Sequence, residues 1–146
     1  MTEIRPLNHE MIRQYLEETG GDFSVDEDGD FVVEYDRDLD SGCELTGIFR
    51  ITLEYLYVVE LADYRDFPRA EWDRLLVMCN AWNDAEYYPM AYLHTEDENT
   101  DQGDIRLEYC MLLKSGISQQ QLTDATDEIV DRAFEFWDWA HSEYGI

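Results

Sequence analysis

The residues able to do chemistry are three histidines, three cysteines and thirty-five carboxylates, and their spacing limits what that chemistry is. His9, His94 and His141 lie far apart, and the chain contains no HExxH, GxSxG, GxxxxGK[ST] or GxGxxG pattern. Local zinc, nucleophile-elbow and phosphate-loop chemistries are therefore disfavoured. His94 and Glu96 fall on one face of a predicted strand and could join a thiol such as Cys110 in a dispersed acid-base site, but a partly exposed strand histidine is the simpler reading. Paired carboxylates arise by chance in so acidic a chain. No catalytic residue, metal ligand or cofactor is assigned.

Two acidic turns raise calcium as a ligand. Asp26-Glu27-Asp28-Gly29-Asp30 carries its glycine fourth, where an EF-hand loop needs it sixth. Asp97 to Asp104, with Glu108 twelfth, carries its glycine one place late. Both read as solvated hairpin turns. Cys43, Cys79 and Cys110 are odd in number and lack CxxC spacing, which argues for reduced thiols, with Cys79 and Cys110 at predicted core positions.

The formal net charge is −25, and Lys114 is the one lysine, so acidity belongs to the whole surface and not to a tail. Such a surface repels phosphate backbones and anionic lipid, which disfavours direct binding to nucleic acid or membrane. It favours solubility, a basic partner, or mimicry of nucleic acid. The longest apolar runs are short, and the first residues show no basic-then-apolar signal, so a soluble cytoplasmic protein is expected. A length of 146 residues suits one domain, spanning 1–146, with a real core.

The positioning elements follow from periodicity. Asn8 caps a first helix carrying Met11, Ile12, Tyr15 and Leu16 on one side, and Gly20-Gly21 stops it. Asp28-Gly29 turns a hairpin between Phe23–Asp26 and Asp30–Tyr35. Leu45 to Leu61 alternates apolar and polar residues, and its length predicts two strands with a turn near Glu54. Asp66-Phe67-Pro68 opens a second helix that Tyr88-Pro89 closes. Met90–Thr95 and Ile105–Leu113 are strands joined by Glu96–Asp104. Ser118 with Gln121 forms a capping box for a last helix running to Tyr144. The order α-β-β-β-β-α-β-β-α predicts an α+β fold, an antiparallel sheet with helices packed mainly on one face.

The middle helix is apolar on more than one side. Trp72, Leu75, Leu76, Cys79 and Trp82 form a predicted inward stripe, while Val77, Met78 and Ala81 point elsewhere and predict a homodimer interface. On the last helix, Phe136 sits at the centre of the stripe through Leu122, Ile129 and Ala133, Trp137 lies near its edge, and Phe134 and Trp139 fall on opposite flanks. Packing against a neighbouring element accounts for these rings. A rim of Phe134, Trp137 and Trp139 that grips a partner polypeptide is the functional alternative.

The order and three sequence pieces resemble the YbjN-domain family, whose fold is similar to the class I type III secretion chaperones. The pieces are Asp26-Glu27-Asp28-Gly29-Asp30, Asn80-Ala81-Trp82-Asn83, and Leu112-Leu113-Lys114-Ser115-Gly116-Ile117-Ser118. The resemblance implies a non-enzymatic, often dimeric, acidic bacterial protein of the kind described as a sensory-transduction regulator, with no catalytic residues to carry over. Two expectations follow: a dimeric, chaperone-like or regulatory protein-binding module, or an acidic inhibitor or nucleic-acid mimic directed at a basic protein.

Overall fold

The computed structural model describes residues 3–146. Helix α1 (His9–Glu18) starts where Asn8 Oδ1 accepts the Met11 N–H at 3.0 Å, and it buries Met11, Ile12, Tyr15 and Leu16 as their spacing requires. Strands β1 (Phe23–Val25) and β2 (Phe31–Glu34) flank the acidic turn, in which Gly29 takes a φ of +84°. Strands β3 (Thr46–Thr52) and β4 (Leu56–Ala62) are divided by a turn through Leu53 and Glu54, both at positive φ.

The expected opening of the second helix is displaced. Phe67–Pro68 forms a short strand, β5, paired with Gly103 and Gln102, and a 3-10 turn (Arg69–Glu71) leads from it into α2 (Trp72–Glu86). Proline fits there because it ends the strand and lacks only a donor that the helix entry does not need. Strands β6 (Met90–His94) and β7 (Gln102–Leu112) follow, and α3 (Gln119–Tyr144) begins at the capping box between Ser118 and Gln121.

All strand pairs are antiparallel, in the order β1-β2-β3-β4-β7, with β5 and β6 also paired to β7. Residues 106–108 of β7 pair with both β4 and β6, so those two strands flank β7, and β6 is an edge. The helices lie on one face, the inner one. There Phe31, Phe49, Tyr57, Val59, Leu61, Ile105 and Leu107 form the core with the apolar faces of α1, α2 and α3. Tyr57 Oη and Thr126 Oγ1 share a hydrogen bond of 2.7 Å that seats α3 on β4. The fold is thus α+β with its helices on one side of the sheet, as the order predicts.

The opposite, helix-free face carries the alternate residues. On β4 these are Val58, Glu60 and Ala62, all buried although no helix covers them. Their neighbours across the strands are Ile48 and Arg50 of β3 and Arg106, Glu108 and Cys110 of β7, and Arg106 and Tyr64 reach over to Glu60. This is why β4 reads as a continuous apolar run more than as clean alternation.

Candidate functional site

His94, Glu96 and Cys110 do not form a site. His94 pairs in register with Asp104, six residues along β7 from Cys110, which separates the two by about 20 Å at the rise of a strand. His94 Nε2 lies 3.6 Å from Glu96 Oε1 at the strand end. Cys110 is exposed, contrary to its expected core position, because its place in β7 turns it to the helix-free face. Burial and then the hydrogen bond to Glu108 push its thiol above its ordinary value, the wrong direction for a nucleophile. Burial likewise pushes the Cys79 thiol up to about 12.

The buried carboxylates Glu60 and Asp104 are engaged by neighbouring side chains. On the helix-free face Glu60 accepts from Tyr64 Oη at 2.6 Å, Glu108 accepts from Tyr92 Oη at 2.8 Å, and Arg106 Nε donates to Asp104 at 2.8 Å. Glu60 and Glu108 stand directly opposite across β4 and β7. Arg106 Nη1 lies 3.7 Å from Glu60 and offsets that like-charge pairing. Burial alone would lower the Arg106 pKa, yet the Asp104 hydrogen bond and the surrounding carboxylates hold it above its ordinary value. The result is an ordered, mixed-charge sheet surface.

The expected interface residues of α2 separate. Met78 is fully buried in the monomer core and is removed from the interface, whereas Val77 is 62% exposed and Ala81 is half-buried. Leu76, expected inward, is 50% exposed. A helix turns about 100° per residue, so Met78 lies about 60° from Leu75 and Leu76 about 100° from it. Leu75, Met78, Cys79 and Trp82 therefore make the buried face.

The aromatic rim of α3 is also corrected. Phe134 and Trp137 are buried and Trp139 is half-buried, because Tyr35 at the end of β2, Asp63 after β4 and Trp82 of α2 meet them. Phe134 meets the Tyr35 ring edge-on at 5.7 Å. Trp137 donates its indole N–H to Asp63 at 3.0 Å. Trp139 packs at 5.7 Å from Trp82 and 5.4 Å from Tyr144. These rings have their own chain as partner.

The open concavity of the inner side lies between the end of α1, β2 and α3, a cavity of about 480 Å³. Tyr15 and Tyr35 contribute aromatic walls, Leu16, Val33 and Val130 aliphatic ones, and Asp22, Asp36 and Asp127 acidic groups, while Glu34 borders it through the β2 backbone. Tyr15 Oη donates to Asp127 Oδ1 at 2.8 Å. Sequence reading missed this cavity because its walls come from segments more than a hundred residues apart. The one local signal was Tyr15, a hydroxyl set in an otherwise aliphatic stripe that needed an acceptor.

A family model named YbjN, described as "Putative bacterial sensory transduction regulator", matches residues 8–142. The chain belongs to the YbjN family. A crystal structure described as "YbjN, a putative transcription regulator from E. coli" is similar in fold, with a TM-score of 0.73 over 97% of each chain at 12% sequence identity. No curated protein sequence matches. The pieces on which the resemblance rests have structural roles. Trp82 Nε1 donates to the Pro89 carbonyl at 2.8 Å. Gly116, at φ +88°, lies so near the Arg5 carbonyl that a Cβ would come within 2.5 Å of it. Asp26 Oδ1 accepts the N–H groups of Asp28 and Asp30, which closes the first hairpin turn. The carboxylates of Asp26, Asp28 and Asp30 converge, but this turn chemistry and the 3.3 Å Asp30–Arg50 pair account for their placement. Burial, partly offset by Arg50, raises the Asp30 pKa. No helix among the described residues is long and apolar enough to cross a membrane.

Proposed function

We propose that this member of the YbjN family is a non-enzymatic, chaperone-like regulator that acts by binding a polypeptide in the bacterial cytoplasm, as a homodimer. The observation that carries this reading is the contrast between the buried carboxylates Glu60 and Asp104, which are committed to Tyr64 and Arg106, and the broad sheet face around them, which no helix covers. The three separate free thiols suit a reducing compartment. Leu76 and Val77 are the exposed apolar residues of α2 and the contact offered for self-association. Met78 has no part in it.

A second reading, an acidic inhibitor or nucleic-acid mimic, is favoured by the net charge of −25. Capture from native bacterial lysate at low and high salt separates the two. Partners that survive high salt and are lost on Ile48→Glu, a substitution on the helix-free face, support the polypeptide-binding module. Partners that leave in salt and ignore Ile48→Glu support the mimic and sink the first reading.

A further inference from the structure

We propose that the cavity between α1, β2 and α3 receives a cationic side chain of the partner, an arginine, and so supplies selectivity for basic segments. This rests on the polypeptide-binding reading above and names the chemistry of one contact within it.

The walls specify the guest. Asp22, Asp36 and Asp127 are the acidic residues of the lining that can face it, since Glu34 alternates with the inward Val33 on β2, and Arg37 is its one base. Arg37 is already committed: its Nη1 lies 3.1 Å from Asp131, and its guanidinium sits 4.4 Å from the Phe134 ring centroid. The lining therefore keeps a net negative charge, because its acidic residues outnumber Arg37 and that guanidinium is shared with Asp131. Its carboxylates are too dispersed for a metal ion, since the group of three ligand atoms within 4.8 Å found among the described residues is the one in the first hairpin. Dispersed carboxylates fit a larger organic cation.

The remaining walls narrow the class further. Leu16, Val33 and Val130 offer an aliphatic surface on which a methylene stem can lie, and Tyr15 and Tyr35 offer aromatic rings. Both phenols are neutral at physiological pH, as an ordinary tyrosine is, and burial pushes their ionisation further up. A planar guanidinium stacks on such rings and donates in a fork to carboxylates, whereas an ammonium acts as a compact point charge. Asp127 is aimed for this role: the Tyr15 hydroxyl holds Oδ1 and leaves Oδ2 free to accept. Arg37 over Phe134 shows the same pairing of guanidinium and ring at the cavity's own border.

The test titrates Nα-acetylated argininamide, lysinamide and the neutral isostere citrullinamide, whose charges differ in the side chain alone, into isotope-labelled protein, followed by amide NMR. Saturable shifts at Gly20, Gly21 and Asp36 with argininamide, weaker ones with lysinamide and none with citrullinamide are expected. Asp127→Asn, which can keep the Tyr15 hydrogen bond, should weaken argininamide by about tenfold, the loss implied by one charge-assisted contact. Glu98→Gln, an equal charge loss in the β6–β7 turn at the opposite edge of the sheet from β2, should leave it unchanged. Equal weakening by both variants reduces the effect to general acidity and overturns the proposal. So does the absence of saturable shifts, or equal response to citrullinamide; equal response to lysinamide overturns the preference for guanidinium. Failure here while partners are still captured at high salt sinks the cavity and leaves the binding function. Intact argininamide binding with no polypeptide captured does the reverse.

Discussion

Asn83 closes the free edge of β6 at Ala91. Its Nδ2 donates to the Ala91 carbonyl at 2.9 Å, and its Oδ1 accepts the Ala91 N–H at 2.8 Å, so one side-chain amide stands in for the strand that β6 lacks. An edge strand with open backbone groups is a template for unwanted pairing. The last residue of the Asn80-Ala81-Trp82-Asn83 piece thus fixes α2 to the sheet and blunts the edge together, while Trp82 holds the turn before it.

Asn83→Ala should cost about 1–3 kcal/mol, because two part-buried backbone groups lose their partners. Chemical denaturation would read the loss, and hydrogen exchange at Ala91 should rise with it. Asn83→Asp keeps an acceptor for the N–H but removes the donor to the carbonyl, so it should fall between the two. Equal protection of Ala91 in all three proteins would mean that the edge is guarded by something else.

Val77→Glu and Met78→Glu should part ways. Val77 is exposed, so a glutamate there leaves the fold intact and, if α2 is the self-association surface, yields monomer in sedimentation. Met78 is fully buried, and an unpaired charge in its place should unfold the chain at ordinary temperature, since even truncation of such a residue costs about 2–5 kcal/mol. A folded Met78→Glu protein would contradict the packing of α2 described above.

These two positions also mark how far the sequence could be read. Element order, the Asn8 and Ser118 caps and the inward face of α1 were legible because each depends on residues within a turn or two of one another. The face of α2 was not, because apolar residues surround much of that helix and only the positions of β6 and Phe136 decide which of them turn inward. Phe134, Trp137 and Trp139 looked surplus for a related reason. Their covers, Tyr35, Asp63 and Trp82, come from remote segments. The cavity at Tyr15 and Asp127 was illegible on the same ground.

Stability should fall at alkaline pH. Burial pushes Tyr15 and Tyr57 above their ordinary value of 10.0, so near that pH the unfolded chain releases protons that the folded chain keeps. The folded state then binds more protons, and stability declines as pH rises, by about 1.4 kcal/mol per pH unit for each such tyrosine. Below the ordinary value this contribution is fully present. Denaturation midpoints taken through the alkaline range, with phenolate absorbance followed in parallel, should show ionisation arriving together with unfolding. Tyrosines that titrate normally in a protein still folded would refute the burial assigned to them.

The ionic network of the helix-free face gives the last test. Glu60 is 4% exposed and is held by Arg106 and the Tyr64 hydroxyl, although it faces Glu108 across the sheet. Arg106→Gln removes the cation shared by the buried Asp104 and Glu60 and leaves Glu60 in register with Glu108, which should cost about 3 kcal/mol. Most of that cost is the burial of an uncompensated charge, so adding Glu60→Gln to the same chain should recover a large part of it. A double-mutant cycle by chemical denaturation measures the coupling directly. If the two losses simply add, Arg106 is not what makes Glu60 tolerable, and the order of this surface must come from packing of Tyr64 and Tyr92 alone.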